Sequence, residues 1–285
     1  MIIYASCDGS RELVSQLCGD PGLPTVTEII RTASSEDWLK LLLSRICLED
    51  VHLHRLLSRL YGILNERLKE ITILNHFALC IFGIFKKSVE ANEFGSRGES
   101  GLPTGSAVID VLGYSHAMLR DICATNGGVG IDEDLVDVVD TLFSSGLLDL
   151  LLCLLRELGP PAKIRKALRQ ADNQEATTSY FPKLCPYKGF RRYLVAVLSN
   201  CAHRRKHVQD DIRQENGMLL MLQQCVTDED NPFLRKWEEP ILEGNSENQQ
   251  AVAELELQGS VDMPELAGLG LRVEMDQNTR RAKLC

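Results

Sequence analysis

The composition of this 285-residue chain is typical of a folded helical protein. Hydrophobic residues make up 44% of it, charged residues 25% and aromatic residues only 6%. A leucine-rich, aromatic-poor composition favours helix-on-helix packing over a sheet core. The formal net charge of −9 argues against nucleic acid or an anionic membrane as the main partner. We therefore expect protein partners.

The cysteines indicate a reduced, intracellular protein. There are ten of them and no CxxC pair, so a disulfide scaffold is not indicated. The first residues lack the basic start and long apolar stretch of a signal peptide. The most apolar segment, residues 71–85, is too short to cross a bilayer. These features predict a cytosolic protein without a membrane span.

The N-terminal region, residues 1–94, is predicted to consist of helical repeats. Residues 51–68 carry apolar side chains at three- and four-residue spacing, the amphipathic pattern of a helix. Residues 77–85 are apolar on every face, which indicates an interior helix. Residues 95–106 are rich in glycine and serine and are predicted to form a flexible loop.

A middle helical repeat is predicted over residues 107–158. Its helices are expected at residues 107–124, 135–143 and 147–158. Gly146 is expected to end the second of these helices and to begin the third, which is rich in leucine. Residues 159–186, which contain Pro, Gln and Thr, are predicted to form an insert loop.

The C-terminal region, residues 187–285, contains an internal echo. The sequence from Gln209 to Gly217 is followed, 42 residues later, by a similar one that ends at Gly259, and Gly146 punctuates a comparable unit. Helix-only repeats near 40 residues are typical of armadillo and HEAT proteins, whose units bury their faces by stacking. The predicted fold is therefore an all-α, armadillo-like (ARM/HEAT-type) α-solenoid.

A small β-hairpin is predicted at the C-terminus. Residues 271–275 and 282–284 alternate apolar and polar side chains, and residues 276–279 between them have turn chemistry. The terminal repeats of a solenoid need a cap over their exposed apolar faces. We expect this hairpin to be that cap.

The C-terminal region also carries a set of distinctive segments. They are residues 187–195, 199–201, 230–234, 243–249 and 270–275, together with Trp237. These segments resemble the conserved C-terminal domain of the ataxin-10 family, and a weaker resemblance extends upstream through residues 75–86 and 102–106, in the manner of plant members. The resemblance implies an armadillo-like domain at residues 187–285, no enzymatic activity, and a cytoplasmic scaffold role linked to cell division and cell survival.

The spacing after Trp237 departs from the family pattern. Between Trp237 and the acidic-Gly-Asn turn at residues 243–245, the chain is shorter than the pattern by about four residues, which is about one helical turn. Pro240 also prevents an intact helix through this point. We therefore expect the core helix of the last repeat to be shortened, as by a short deletion after Trp237.

No motif in the chain assembles an enzyme or cofactor site. The glycines at residues 127–130 and 268–270 lack the strand-then-helix context of a nucleotide-binding loop. Cys201, His203 and His207 have metal-ligating chemistry, but Cys201 lies about 200° from His203 around a helix. No second cluster completes a four-ligand site. We expect a non-enzymatic protein without metal or cofactor.

Residues 183–209 form a basic stretch in an acidic chain, with seven Lys or Arg residues and no Asp or Glu. Two interpretations remain open. The cations lie on a solvated face beside a helix C-terminus, or they form a docking patch for an acidic partner segment. The candidate interface residues in this stretch are Arg191, Arg192, Asn200, Arg204, Arg205 and Lys206.

Asn200 has a separate interpretation. In peptide-binding armadillo arrays an asparagine on the third helix holds the ligand backbone, often with a tryptophan four residues earlier, where this chain has Ala196. Only half of that arrangement is present. The alternatives are a peptide groove built on Asn200 and an asparagine that caps a helix or bridges two repeats.

Together these features predict a non-enzymatic, cytosolic protein–protein interaction scaffold. The expected partners are other proteins, and self-association is a further expectation from the resemblance. Two alternatives remain. One is a solenoid carrier or chaperone-cofactor adaptor that binds a peptide segment. The other is a regulatory subunit of an enzyme such as a glycosyltransferase.

Overall fold

The computed structural model describes residues 10–19, 21–22, 24–26, 28, 50–67, 75–91, 102–125, 137–161, 164, 183–224, 239–262, 273–276 and 281–284. Within these ranges the protein is mostly helical, as the composition predicts. The helices are α1 (Arg11–Cys18), α2 (Asp50–Arg67), α3 (Asn75–Ala91), α4 (Ala107–Thr125), α5 (Val138–Ser144), α6 (Leu147–Leu158), α7 (Phe190–Ala202), α8 (Lys206–Gln214), α9 (Gly217–Gln224), α10 (Glu239–Leu242) and α11 (Ser246–Asp262). Two strands follow, β1 (Val273–Asp276) and β2 (Arg281–Leu284).

The chain divides into two compact units. The first unit comprises residues 1–150 and 184–193, and the second comprises residues 151–183 and 194–285. The helices α6 and α7 therefore contribute residues to both units. Each unit buries apolar side chains of its own.

In the first unit, α4 is the central helix. It contacts both α2 and α3, and residues 109–119 are all buried, because the helix is apolar on most of its faces. Its buried Ser115 hydroxyl donates to the Val111 carbonyl at 2.8 Å, which removes the cost of leaving that hydroxyl unpaired. Helix α3 buries Phe77, Ile81 and Phe85, which confirms the interior helix predicted over residues 77–85.

The C-terminal end of the predicted flexible loop is held in place. The backbone N–H and hydroxyl of Thr104 both donate to Asp110 Oδ1, at 2.5 and 2.8 Å, so this carboxylate anchors the turn that precedes α4. A Cβ atom at Gly113 would lie 2.2 Å from Leu102 Cδ2, which shows how closely this turn packs on the helix. Residues 102–106 thus pack on α4, residues 95–101 lie outside the described ranges, and the flexible loop over residues 95–106 stays a prediction.

The middle repeat agrees closely with the prediction. Helix α6 has the predicted bounds, and the turn before it contains Gly146 with a φ of 91°, a conformation that glycine adopts without steric cost. Helix α5 begins three residues later than predicted. Its start is fixed by Asp137, whose Oδ1 accepts from the Val139 N–H at 2.9 Å, as expected of an N-cap residue.

In the second unit, the helices from α7 to α11 are joined by short turns where the chain is described. Helix α10 is a single turn of four residues that contains Pro240, whereas α7 has 13 residues. The described part of the last repeat thus contains a short helix, as expected from the spacing after Trp237. Trp237 itself lies outside the described residues.

The predicted 42-residue echo is corrected by the structure. Gly259 does not begin a helix, because α11 runs through it. The backbone pattern instead repeats after 40 residues, at the turn between α7 and α8 and the turn between α10 and α11. The matching hydrogen bonds are Arg205 N–H to Ala202 O with Asn245 N–H to Leu242 O, and Gln209 N–H to Arg205 O with Gln249 N–H to Asn245 O.

The two strands pair antiparallel near the position of the predicted hairpin. Val273 lies opposite Leu284, and Asp276 lies opposite Arg281. Strand β2 also contacts α11. The turn is predicted at residues 276–279. Asp276 instead ends β1, and residues 277–279 lie outside the described ranges.

Within the described ranges, no single helix is long and apolar enough to cross a membrane. Helices α5 and α6 meet that length and composition only when they are taken together as a bent pair.

Candidate interaction surface

The seven cations of the basic stretch fall into two groups. Lys188, Arg191 and Arg192 belong to the first unit, whereas Lys183 and residues 204–206 belong to the second. The single stretch in the sequence is therefore divided between the two units, and the side chains within each group differ in burial.

In the first unit, Arg191 and Arg192 have different environments. Arg191 is buried, with 6% of its surface exposed, so the prediction that it faces a partner is wrong. The Arg192 guanidinium lies 5.3 Å from the centroid of the Tyr193 ring, and that of Arg120 lies 4.8 Å from the same centroid. Both distances are those of cation–π contacts. Arg192 remains half-buried.

Tyr193 belongs to an aromatic cluster around a buried histidine. His116 Nδ1 lies 3.0 Å from the hydroxyl oxygen of Tyr187. The imidazole ring packs against Phe85, Phe190 and Tyr193, with centroid distances of 4.8, 5.2 and 5.7 Å. Burial, helped by the nearby Arg120 charge, lowers the pKa of His116 to about 3. The imidazole is therefore neutral near neutral pH, and it acts as a packing and hydrogen-bonding group.

In the second unit, the candidate residues of the basic stretch lie around the turn between α7 and α8. Arg204 and Lys206 are exposed. Arg205 between them is buried, and its Nη1 donates to the carbonyls of Asn200 and Cys201 at 3.4 Å each. The prediction that Arg205 faces a partner is therefore wrong, because its guanidinium is used to close the C-terminus of α7. Arg204 and Lys206 remain candidates for contact with a partner.

The start of α8 is cationic. Arg205 is its N-cap residue and makes no side-chain cap hydrogen bond, and the first turn contains no acid. Lys206 and His207 are exposed there, and His203 is half-exposed in the preceding turn. Cations at a helix N-terminus are opposed by the helix dipole. The same turn follows the C-terminus of α7, where cations are favoured and where Arg205 donates to the last carbonyls, so the dipoles of the two helices act on these cations in opposite directions.

The proposed metal ligands are not brought together. Cys201 is buried in α7, His203 lies in the turn, and His207 is exposed in α8. His203 Nδ1 lies 3.7 Å from Glu243 Oε2, so its described neighbour is a carboxylate of the next turn. Across the part of the chain that the structure describes, no group of three His, Cys, Asp or Glu side chains could hold a metal ion.

Gln209 is the centre of a buried hydrogen-bond network in the second unit. Its side chain is 2% exposed. Its Nε2 donates to the carbonyls of Ala202, Pro240 and Glu243, at 3.2, 2.8 and 3.2 Å. Gln209 therefore ties the end of α7 to both ends of α10. Gln249 repeats part of this arrangement, since its Nε2 donates to the Leu242 carbonyl at 2.8 Å.

Asn248 completes the network. Its Nδ2 donates to the carbonyls of Gln209 and Ile241, at 3.1 Å each, and its Oδ1 accepts from Arg213 Nε at 2.8 Å. Asn245 donates to Asp210 Oδ1 at 2.9 Å, a hydrogen bond that is the first cause of a lowered Asp210 pKa. The bridging between repeats that was one interpretation of Asn200 is thus seen at Asn248.

Asn200 itself is half-buried on α7, and its carbonyl accepts from Arg205. The peptide groove that was the other interpretation of this residue stays a prediction.

The sequence patterns did not single out the residues at the centre of the aromatic cluster and of the hydrogen-bond network. Gln209 and Asn248 were prominent only as the starts of the internal echo. An alignment of Gln209 with Gln249, at 40 residues, would have indicated an equivalent amide in both repeats. His116 gave no local signal, because its partner Tyr187 is 71 residues away.

The fold and this surface define a class of protein. It is an all-α protein in which the described polar side chains serve packing, hydrogen bonding and surface charge, with no assembled catalytic group among them. Within the described part of its C-terminal region, the turn and its glutamine-to-carbonyl contact recur after 40 residues.

The comparisons with known proteins agree on the C-terminal region. Residues 190–284 match the family model described as the spinocerebellar ataxia type 10 protein domain. Ataxin-10 of Xenopus tropicalis is 33% identical over 90 residues, which are 30% of this chain and 19% of that protein. The Ataxin-10 homolog of Dictyostelium discoideum is 33% identical over 95 residues, 32% of this chain and 16% of that protein. No solved structure matches.

Residues 190–284 of the chain are thus similar to the ataxin-10 family. The Ataxin-10 homolog of Kluyveromyces lactis extends the similarity to 112 residues at 30% identity, 38% of this chain and 20% of that protein. The chain thus spans about a fifth of the length of the curated relatives that it matches. The weaker upstream resemblance to plant members stays a prediction.

Proposed function

We propose that this protein is a non-enzymatic scaffold of the ataxin-10 type, which binds protein partners in the cytosol through an armadillo-like solenoid. The observation that carries the proposal is the family domain at residues 190–284. The chain covers only part of its relatives, so the role of a whole ataxin-10 protein is carried over as a proposal. That role includes the link to cell division and cell survival.

The solenoid is supported by the repeated turn. The same two backbone hydrogen bonds and the same glutamine-to-carbonyl contact occur at a 40-residue interval. A helix pair that recurs at this interval is the structural unit of armadillo and HEAT arrays. The contact of β2 with α11 supports the proposal that the β1–β2 ribbon is a terminal cap.

The partner-binding role is supported by the exposed cations at the turn between α7 and α8. Arg204 and Lys206 are exposed in a chain whose net charge is −9. Basic groups on an acidic protein give charge complementarity to an acidic partner segment, which contributes to specificity and association rate. We define Arg204 and Lys206 as the cationic turn.

The test is an affinity capture from native cytosol with three full-length proteins. They are the wild type, an Arg204→Glu/Lys206→Glu variant and a Lys86→Glu/Lys87→Glu control. Lys86 and Lys87 are exposed near the end of α3, so the control reverses the same number of charges in the first unit. Arg205 is left intact because it is buried.

We expect the wild type and the control to capture a common set of proteins, and the cationic-turn variant to lose part of it. Thermal melts must show equal folding of all three proteins. If the wild type captures no protein above a bait-free background, the scaffold proposal fails. If all three capture the same set, partners bind elsewhere on the protein.

A carrier or chaperone-cofactor adaptor is the second candidate, and the half-buried Asn200 on α7 favours it. This role would require an extended peptide ligand whose binding is lost in an Asn200→Ala variant but kept in the cationic-turn variant.

A regulatory subunit, for example of a glycosyltransferase, would change the activity of a captured enzyme. Self-association would appear as a concentration-dependent mass in light scattering.

A further inference from the structure

Arg204 has a backbone conformation that arginine rarely adopts. Its φ is 58°, in the left-handed region, at the position that follows a helix C-terminus and is most often glycine. Forty residues later, at the equivalent position of the next turn, the chain has Gly244, with a φ of 71°. Of the two equivalent turns, one thus has an arginine at this position and the other has a glycine.

An arginine here is disfavoured by local sterics, because its Cβ crowds the backbone in the left-handed region. The other non-glycine residue with a positive φ in the described ranges is Asn216, with a φ of 55°. Asparagine tolerates this region because its short side chain bonds to the nearby backbone. Arginine has no such compensation. A strained residue that the fold does not require is a candidate for a functional role.

The side chain of Arg204 is exposed, and no hydrogen bond or ion pair joins it to another residue that the structure describes. Its neighbour Arg205 provides the contrast, since that guanidinium is buried and closes the end of α7. The strain at Arg204 is therefore not offset by a described contact of its side chain.

The surroundings of Arg204 favour an anionic ligand. Lys206 and His207 are exposed at the start of α8, whose first turn holds no acid. Two carboxylates of this region have other neighbours: Glu243 lies 3.7 Å from His203, and Asp210 accepts from Asn245. Lys206 lies one helical turn before Asp210 and helps to lower the pKa of that carboxyl, whereas no ion pair joins Arg204 to a described residue.

We propose that Arg204 is the partner-recognition residue of the cationic turn, and that its guanidinium binds a carboxylate of an acidic peptide segment, with Lys206 as the second cation. A planar guanidinium binds a carboxylate through two parallel hydrogen bonds. This geometry explains the presence of arginine, rather than glycine, at a left-handed position. The inference rests on the proposed scaffold function and names the chemistry of the partner.

The experiment uses the full chain and a fluorescent decaglutamate peptide as the probe, with decaglutamine as the neutral peptide. The variants are Arg204→Gly, Arg204→Lys and the exposed-lysine control Lys86→Ala. Binding is measured by fluorescence anisotropy at two salt concentrations, and the melting temperature is measured for each protein.

We expect Arg204→Gly to bind decaglutamate about tenfold more weakly, because a charge-assisted pair is lost. The same variant should melt at an equal or higher temperature, because glycine relieves the left-handed strain. Arg204→Lys should lie between Arg204→Gly and the wild type in affinity, since it keeps the charge but loses the planar fork. Lys86→Ala should bind as the wild type does.

A lower melting temperature for Arg204→Gly would show that Arg204 is a structural residue and would overturn the inference. Equal affinity of wild type and Arg204→Gly would do the same. A wild type that binds decaglutamine as well as decaglutamate, or binds neither, would overturn the acidic partner. The scaffold proposal is decided separately, by the capture from cytosol.

Discussion

His116 shows how burial sets the chemistry of a single side chain. The ring is enclosed by Phe85, Phe190 and Tyr193, and Nδ1 shares a hydrogen bond with Tyr187. A positive charge in this cluster would lose its hydration without gaining an anion, and the nearby Arg120 would repel it. The folded protein therefore holds His116 neutral at pH values where the unfolded chain would protonate it.

The stability of the protein should consequently decrease in acid. The folded pKa of His116 is about 3, below the unfolded value of 6.5. Between these values the unfolded chain binds a proton that the folded chain does not, so the free energy of unfolding falls as pH is lowered through this window. The contribution of the neutral His116 to the free energy of unfolding is fully present above pH 6.5, and its loss by about pH 3 is on the order of 4 kcal/mol.

The measurement is urea denaturation of the wild type and of His116→Phe at several pH values between 3 and 7. The wild type should show the steeper fall in the free energy of unfolding. Asp121 contributes in the opposite direction in acid, because burial raises its pKa, but it is present in both proteins. Parallel curves for the two proteins would show that His116 does not carry the effect.

Two glycines give a second prediction at the residue scale. A Cβ at Gly217 would lie 2.8 Å from the Ile212 carbonyl oxygen and 3.0 Å from Leu152 Cδ2. We expect Gly217→Ala to lower the free energy of unfolding by about 1–3 kcal/mol through overpacking. Gly62 is exposed in α2 and has open space around it, so Gly62→Ala should raise stability by up to about 1 kcal/mol.

Both substitutions add one methyl group, so chemical denaturation of the pair separates packing from helix propensity. A similar change in stability for the two variants would contradict the close approach at Gly217.

At the scale of elements, the contacts of Gln209 connect three helices. One side chain from α8 donates to the carbonyl at the end of α7 and to two carbonyls at the ends of α10. Buried polar groups of this kind cost free energy when a partner is removed. The position of the single-turn helix α10 therefore depends on a side chain that precedes it by about 30 residues.

We expect Gln209→Met to lower the free energy of unfolding by about 2–3 kcal/mol, because three buried or half-buried carbonyls lose a donor while side-chain volume is kept. Gln249→Met is the matched control. It removes one hydrogen bond from a half-buried residue and should cost about 1 kcal/mol. Urea denaturation of both variants tests the difference, and equal costs would show that the contacts to α10 contribute little.

At the scale of the whole molecule, the fold class and the positions of the long helices could be predicted from the sequence. The leucine-rich periodicity predicted α4 and α6 nearly to the residue, because a helix that is apolar on one or more faces is a local pattern. The start of α5 was missed by three residues, because an N-cap depends on which side chain reaches the backbone.

The sequence also carried the family resemblance, which the comparisons confirm for residues 190–284. The family-matched region begins inside the first unit, since residues 184–193 belong to that unit. Tyr187 and Phe190 pack on His116 there. A boundary drawn from sequence similarity thus differs from the boundary of the compact unit, because packing is decided by partners that are far apart in the chain.

The sequence by itself therefore determined the all-α class, the main helices, the family resemblance of residues 190–284, and the presence of a basic stretch. Only the tertiary structure decided which of these cations faces solvent. Arg204, Arg205 and Lys206 are adjacent and chemically alike, yet the turn buries the middle one against the end of α7. Exposure within a turn is set by backbone dihedral angles and by the helices packed around it, and neither is encoded in the local pattern of charges.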